Sequence, residues 1–120
     1  MIETARALYQ FWSSFGLNAY VEGYVPDDAE MPYITYSLAN PEWRSQGTHY
    51  ARLWYRSTSY QGILSKAHEI ETAIGDGITL PAADGFVALW KENQFVQMEE
   101  DEDVTVKCAY LSLIIEANHS

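Results

Sequence analysis

The apolar residues of this chain switch between helical and alternating periods along its length, and the order of those switches limits the folds open to it. Ile2, Ala5, Leu8, Tyr9, Trp12 and Phe15 recur at helical spacing and predict a helix over 2–15 with one apolar stripe. Gly16 suits the left-handed conformation that ends a helix. Tyr20-Val21-Glu22 reads as a short strand, and Val25-Pro26-Asp27-Asp28 as a turn. Pro32 then opens a strand over Tyr33–Leu38, whose residues are β-branched and aromatic, and Asn40-Pro41 closes it.

Tyr50–Arg56 is a second strand, with Ala51, Leu53 and Tyr55 facing the core and Tyr50, Arg52, Trp54 and Arg56 sharing the other face. The ten residues from Asn40 to His49 exceed what a tight hairpin needs. Thr58 reads as an N-cap with Gln61 completing a capping box, ahead of a helix marked by Ile63, Ala67, Ile70 and Ile74. Gly75-Asp76-Gly77 ends that helix. Phe86–Lys91 and Phe95–Met98 predict two strands joined by the turn Glu92-Asn93-Gln94, and Val104–Glu116 predicts a long last strand. From Leu111 this last strand is apolar on both faces, as expected of a strand covered on both sides, by its own helices and by another subunit. The expectation is a single α+β domain over 1–120, a mostly antiparallel sheet with two helices packed on one face. Trp12 and Ile70 should be buried in it.

Charge narrows the partners. Seven basic residues against seventeen acidic give a net charge of -10, which opposes binding to nucleic acid or anionic membrane through a general basic field. No apolar run approaches the roughly 18 residues that cross a bilayer, and Met1-Ile2-Glu3-Thr4 lacks a signal peptide's basic start. The expectation is a soluble, intracellular protein. Five of the acids form the run Glu99-Glu100-Asp101-Glu102-Asp103, whereas Trp43 to His68 carries Arg44, Arg52, Arg56 and Lys66 and no acid. Either both stretches are solvated surface, or they meet, within one subunit or between identical subunits.

The chain assembles no recognisable catalytic, cofactor or metal constellation. His68-Glu69 begins a zinc-protease helix motif, but Thr72 stands where its second histidine belongs. His49 has no matching ligand or base in sequence, and His119 lies at a frayed end. Gly75-Asp76-Gly77 lacks the rest of a phosphate loop, and the acidic run lacks the spaced ligands of a calcium loop. Cys108, the one cysteine, excludes an internal disulfide; its strand position reads as core-facing, a small buried hydrophobe. The expectation is a protein that is not an enzyme.

Aromatic residues are abundant instead, with nine tyrosines, four tryptophans and four phenylalanines. The face Tyr50, Arg52, Trp54, Arg56 combines the types enriched at binding hot spots. Alternation alone leaves open whether the helices cover that face or leave it to a partner. With Trp43, Arg44 and the acidic run Glu99, Glu100, Asp101, Glu102 and Asp103, these residues are the candidates for a subunit interface.

Gly16-Leu17-Asn18-Ala19-Tyr20, Val25-Pro26-Asp27 and Met31-Pro32-Tyr33-Ile34-Thr35-Tyr36 resemble segments of a known family. So do the strand around Trp54-Tyr55-Arg56 and the helix from Tyr60 to Ile74. The family is the tail-terminator and tail-completion (minor capsid) proteins of long-tailed bacteriophages and prophages. The match spans nearly the whole chain in element order, through short motifs. The resemblance implies an α+β sheet with two helices, and six identical subunits in a ring that caps the tail tube. Such a ring ends tail polymerisation and forms the head-docking face. It implies the tail-tube and head-closure proteins as partners, a place in the virion tail after assembly in the host cytoplasm, and no catalytic residues. The acidic run is not a hallmark of that family. Other classes are a head-closure or tail-tube protein, an acidic DNA mimic, which needs carboxylates spread over a surface, and a small-ligand or enzyme domain, which needs a polar pocket.

Overall fold

The computed structural model describes residues 2–38, 46–82 and 85–119, without the side chains of Ile2, Glu3, Gln46, Asn118 and His119. Two helices, α1 (Ile2–Ser13) and α2 (Gln61–Ile74), accompany six strands. The strands are β1 (Asn18–Val21), β2 (Tyr33–Tyr36), β3 (Gln46–Arg56), β4 (Ile78–Ala82), β5 (Gly85–Glu99) and β6 (Val106–His119). They form one sheet in the order β1-β2-β3-β6-β5-β4. β1 runs parallel to β2, and the other neighbours are antiparallel. This is the expected α+β fold.

Cross-strand register places Ile34, Leu53 and Ala109 in one row, and Tyr36, Ala51, Leu111 and Val96 in the next. The residues of these rows, with Val96 packed partly buried against them, belong to one buried cluster with Leu8, Phe11 and Trp12 of α1, Phe15 just past it, and Ile63, Ala67, Ile70 and Ile74 of α2. Both helices therefore lie on one face. α1 touches both edge strands, β1 and β4, so the sheet curls around it. Trp12 and Ile70 are both 0% exposed. No helix among the described residues is long and apolar enough to cross a membrane.

Several local expectations are corrected. The buried stripe of α1 runs through Thr4, Ala7, Leu8, Phe11 and Trp12 and is continued by Phe15 just past its end; Tyr9 lies off it and is 54% exposed. The α2 capping box does not form. The helix starts at Gln61, and the N-cap residue Tyr60 makes no side-chain cap. The hydroxyl of Ser59 accepts the Gln61 N–H instead, and that of Ser57 accepts the Ser59 N–H. These short hydroxyl turns do locally what Thr58 was expected to do. β3 begins at Gln46, so residues 46–49 are strand rather than linker. β4 was not anticipated; it is an edge strand, where Pro81 is tolerated because no further strand needs its missing N–H.

The expected hairpin at Glu92-Asn93-Gln94 is one continuous strand. Both halves of β5 pair with the same partner, Lys91 opposite Leu113 and Val96 opposite Leu111, with a register shift between them. Gln94 takes a left-handed φ of 62° there, and Phe95 folds into the core. The shift changes parity, so Leu89 before it and Val96 after it both face the helices. The last strand starts at Val106, and Val104 is an exposed loop residue.

Candidate interaction face

Alternation puts Tyr50, Arg52, Trp54 and Arg56 opposite Ala51 and Leu53, and the helices take the Ala51–Leu53 side. The Tyr50 face is therefore the outer face of the sheet, with no helix over it. Register extends it across the neighbouring strands. Tyr33, Trp54, Cys108 and Glu99 form one row, and Tyr20, Thr35, Arg52, Tyr110 and Gln97 the next. Further rows pair Tyr50 with Ser112, and Thr48 with Ile114 and Trp90.

Arg52 organises the centre of this face. Its Nε donates to Glu99 Oε1 at 2.9 Å, and its Nη1 donates to Glu22. The guanidinium carbon lies 4.9 Å from the Tyr110 ring centre and 5.3 Å from that of Tyr50. The two tyrosine rings stack at 5.4 Å, and the Tyr50 hydroxyl donates to Glu22. Burial works against the Arg52 charge, but the hydrogen bond and charge of Glu99 and the charge of Glu22 outweigh it and hold its pKa above the ordinary value. The Glu22 hydrogen bond likewise raises the Tyr50 hydroxyl. Trp54 Nε1 donates to Thr35 Oγ1 at 3.0 Å, which fixes the indole on the same face. At the rim, Arg56 Nη1 reaches Asp103 Oδ2 at 3.4 Å. Hydrogen bonds from Thr105, then Arg56, hold the Asp103 carboxyl below its usual range.

The basic strand and the acidic run thus meet within one subunit, through Arg52–Glu99 and Arg56–Asp103. Glu100, Asp101 and Glu102 are exposed, and no described cation pairs with them. Trp43 and Arg44 lie outside the described residues. Sequence reasoning missed Glu22, Tyr110, Tyr20 and Tyr33 as members of this face. The signal for Tyr110 was the unbroken apolar series Ala109, Leu111, Leu113, Ile115, Ala117, which claims the core side for the odd residues of β6.

That series also corrects Cys108. It is buried, but on the outer face rather than in the core under the helices, because Glu99 and Arg52 cover it. Its Sγ donates to Glu99 Oε1 at 3.4 Å. Burial first, then that bond and the carboxylate charge, push the thiol up to about 12. The expected result is negligible alkylation of the native protein at pH 8 over hours and complete alkylation in denaturant. Rapid native labelling, followed by mass, would contradict this geometry. Among the described residues no group of three or more His, Cys, Asp or Glu side chains is placed to hold a metal ion. The face carries half-buried aromatic rings around a paired arginine, residue types enriched at binding hot spots. No protein-family model matches the chain, and a comparison with curated proteins finds no match.

Proposed function

We propose that this chain is a ring-forming subunit of a long-tailed phage, which caps the tail tube, stops its growth and forms the face that docks onto the head. The observation that carries the reading is the helix-free sheet face. Tyr20, Tyr33, Tyr50, Trp54, Trp90 and Tyr110 line it, and a sheet face this aromatic is suited to burial against another protein surface. A closed ring needs two different complementary surfaces on each subunit. The outer sheet face supplies one. The exposed acids Glu100, Asp101 and Glu102 mark a second, for which the Trp43–Arg44 segment of a neighbour is a charge-matched partner. The net charge of -10 suits a channel that repels rather than grips passing DNA. The ring is hexameric in this reading, with the tail-tube protein on one side and the head-closure protein on the other, in the virion tail.

Because Arg52 holds its own subunit together, it is a poor probe of this interface. Ser112 is better, since it lies beside Tyr50 on the outer face and its hydroxyl makes no described hydrogen bond. Ser112→Arg is expected to leave the subunit folded by circular dichroism while tails grow over-long and fail to join heads in electron micrographs. Tails of normal length that join heads, made with a folded variant, would remove this face from the interface. Placement at another level of the neck or along the tube, seen in the same images, would favour a head-closure or tail-tube role.

A further inference from the structure

A tryptophan indole nitrogen can only donate a hydrogen bond. Trp12 Nε1 lies 3.0 Å from His49 Nε2, so that nitrogen carries no proton and accepts. The ring proton is then on Nδ1, which donates to Ser37 Oγ at 3.1 Å. The same oxygen accepts the Tyr50 N–H at 3.0 Å. Trp12 of α1, His49 of β3 and Ser37 just past β2 thus form one chain of bonds tying the helix to the sheet. His49 is 1% exposed and Trp12 wholly buried.

Protonated histidine donates from both nitrogens. A proton on Nε2 would point at the indole N–H, donor against donor, at a buried position. The groups that face the ring do not offset this charge. From β2 comes Tyr36, with ring centres 6.4 Å apart, whose hydroxyl is itself raised by burial and by Tyr9 of α1. From β6 comes Leu113, directly opposite, and from β5 comes Lys91, two strands over in the same row and cationic. Among the described residues no carboxylate acts on the ring.

We propose that His49 is an acid-sensitive latch: a proton taken up on Nε2 breaks the bond to Trp12 and releases α1 from the concave face of the sheet. α1 is the element that lets go because side chains alone hold it there. β3 and β6, by contrast, pair by backbone along eleven consecutive residues. Burial holds the His49 pKa at about 4 with the latch closed, against 6.5 when the ring is exposed. The open form therefore binds the proton more readily, and opening is favoured as pH falls through 6.5 until the effect saturates below about 4. Between pH 7 and pH 5.5 the opening constant rises about eightfold, and by pH 4.5 about 60-fold. The latch is independent of the phage reading, since it needs only this chain.

The test is amide hydrogen exchange on the whole chain at pH 7, 5.5 and 4.5, expressed as protection factors. The expected result is that α1 loses protection by those factors while β3 and β6 keep theirs. In His49→Gln the side-chain oxygen accepts from Trp12 and the amide donates to Ser37, without titrating between these pH values. Its α1 protection should be flat. Constant α1 protection in the native protein, simultaneous loss in α1, β3 and β6, or an unchanged pH profile in His49→Gln would each overturn the latch. If that variant does not fold, NMR titration of the wild-type ring decides: an ordinary pKa in the folded protein overturns it, and a strongly lowered one with α1 resonances shifting in parallel supports it.

Discussion

Trp12→Ala is expected to lower the unfolding free energy by about 3–5 kcal/mol, a large part of the roughly 5–15 kcal/mol that holds a domain of this kind together. Trp12 is the largest wholly buried side chain and touches both kinds of support that α1 has. Its ring meets Phe11 edge-on at 4.8 Å and packs against Phe15 at 6.2 Å and His49 at 5.9 Å. Alanine removes that volume at the centre of a curled sheet whose backbone ladders resist collapse into the hole. It also leaves His49 Nε2 without a donor. Trp12→Phe is the milder probe, because it deletes the N–H while removing only part of the buried ring volume. It should cost about 1–3 kcal/mol, the range for an orphaned buried acceptor. Urea denaturation followed by circular dichroism measures both. Equal stability of Trp12→Phe and wild type would mean that the bond to His49 adds nothing.

The second large effect is expected on the opposite face. Arg52→Met keeps an apolar stem but removes the cation shared by Glu22 and Glu99, whose side chains are 37% and 39% exposed against 23% for Arg52. Water screens part of the resulting repulsion, so the expected cost is about 2–3 kcal/mol rather than the larger loss of a fully buried pair. The charge origin is checked by adding Glu22→Gln. If the loss comes from two uncompensated carboxylates, Arg52→Met with Glu22→Gln is more stable than Arg52→Met alone, although Glu22→Gln in the wild-type background destabilises. If the two losses simply add, Arg52 acts through Glu99 or through its guanidinium over the Tyr50 and Tyr110 rings, and the Glu22 pair is incidental.

The periodic elements were legible because each carries its own signature. Ile63, Ala67, Ile70 and Ile74 lie on one helical face whatever surrounds them, and Ala51 and Leu53 must oppose Arg52 and Trp54. Which side of β3 the helices cover was not legible there. It is decided by β6, whose odd residues align with those of β3 through the ladder. The break at Glu92-Asn93-Gln94 was misread because polar residues look alike in a turn and in a bulge; only the shared partner β6 tells them apart. Tyr9 was misplaced because 100° steps leave it beside the stripe that Phe11 completes. The centre of the outer face escaped for a further reason. Glu22 comes from beyond the end of β1 and Glu99 from the end of β5, far from Arg52 in sequence, and nothing in either segment announces the other.

The strand order has a consequence for synthesis. β6 is the last strand along the chain, yet it lies between β3 and β5 at the middle of the sheet. Until it leaves the ribosome, β1–β2–β3 and β4–β5 have no common ladder, and the inner side of β3 has no partner. The apolar residues of α1 and α2 then face two half-sheets that cannot yet close over them. Productive folding must wait for β6, a late and non-local step of the kind that makes β-rich proteins slow to fold. The nascent chain meanwhile exposes unpaired strand edges, open to capture by chaperones or by other nascent copies.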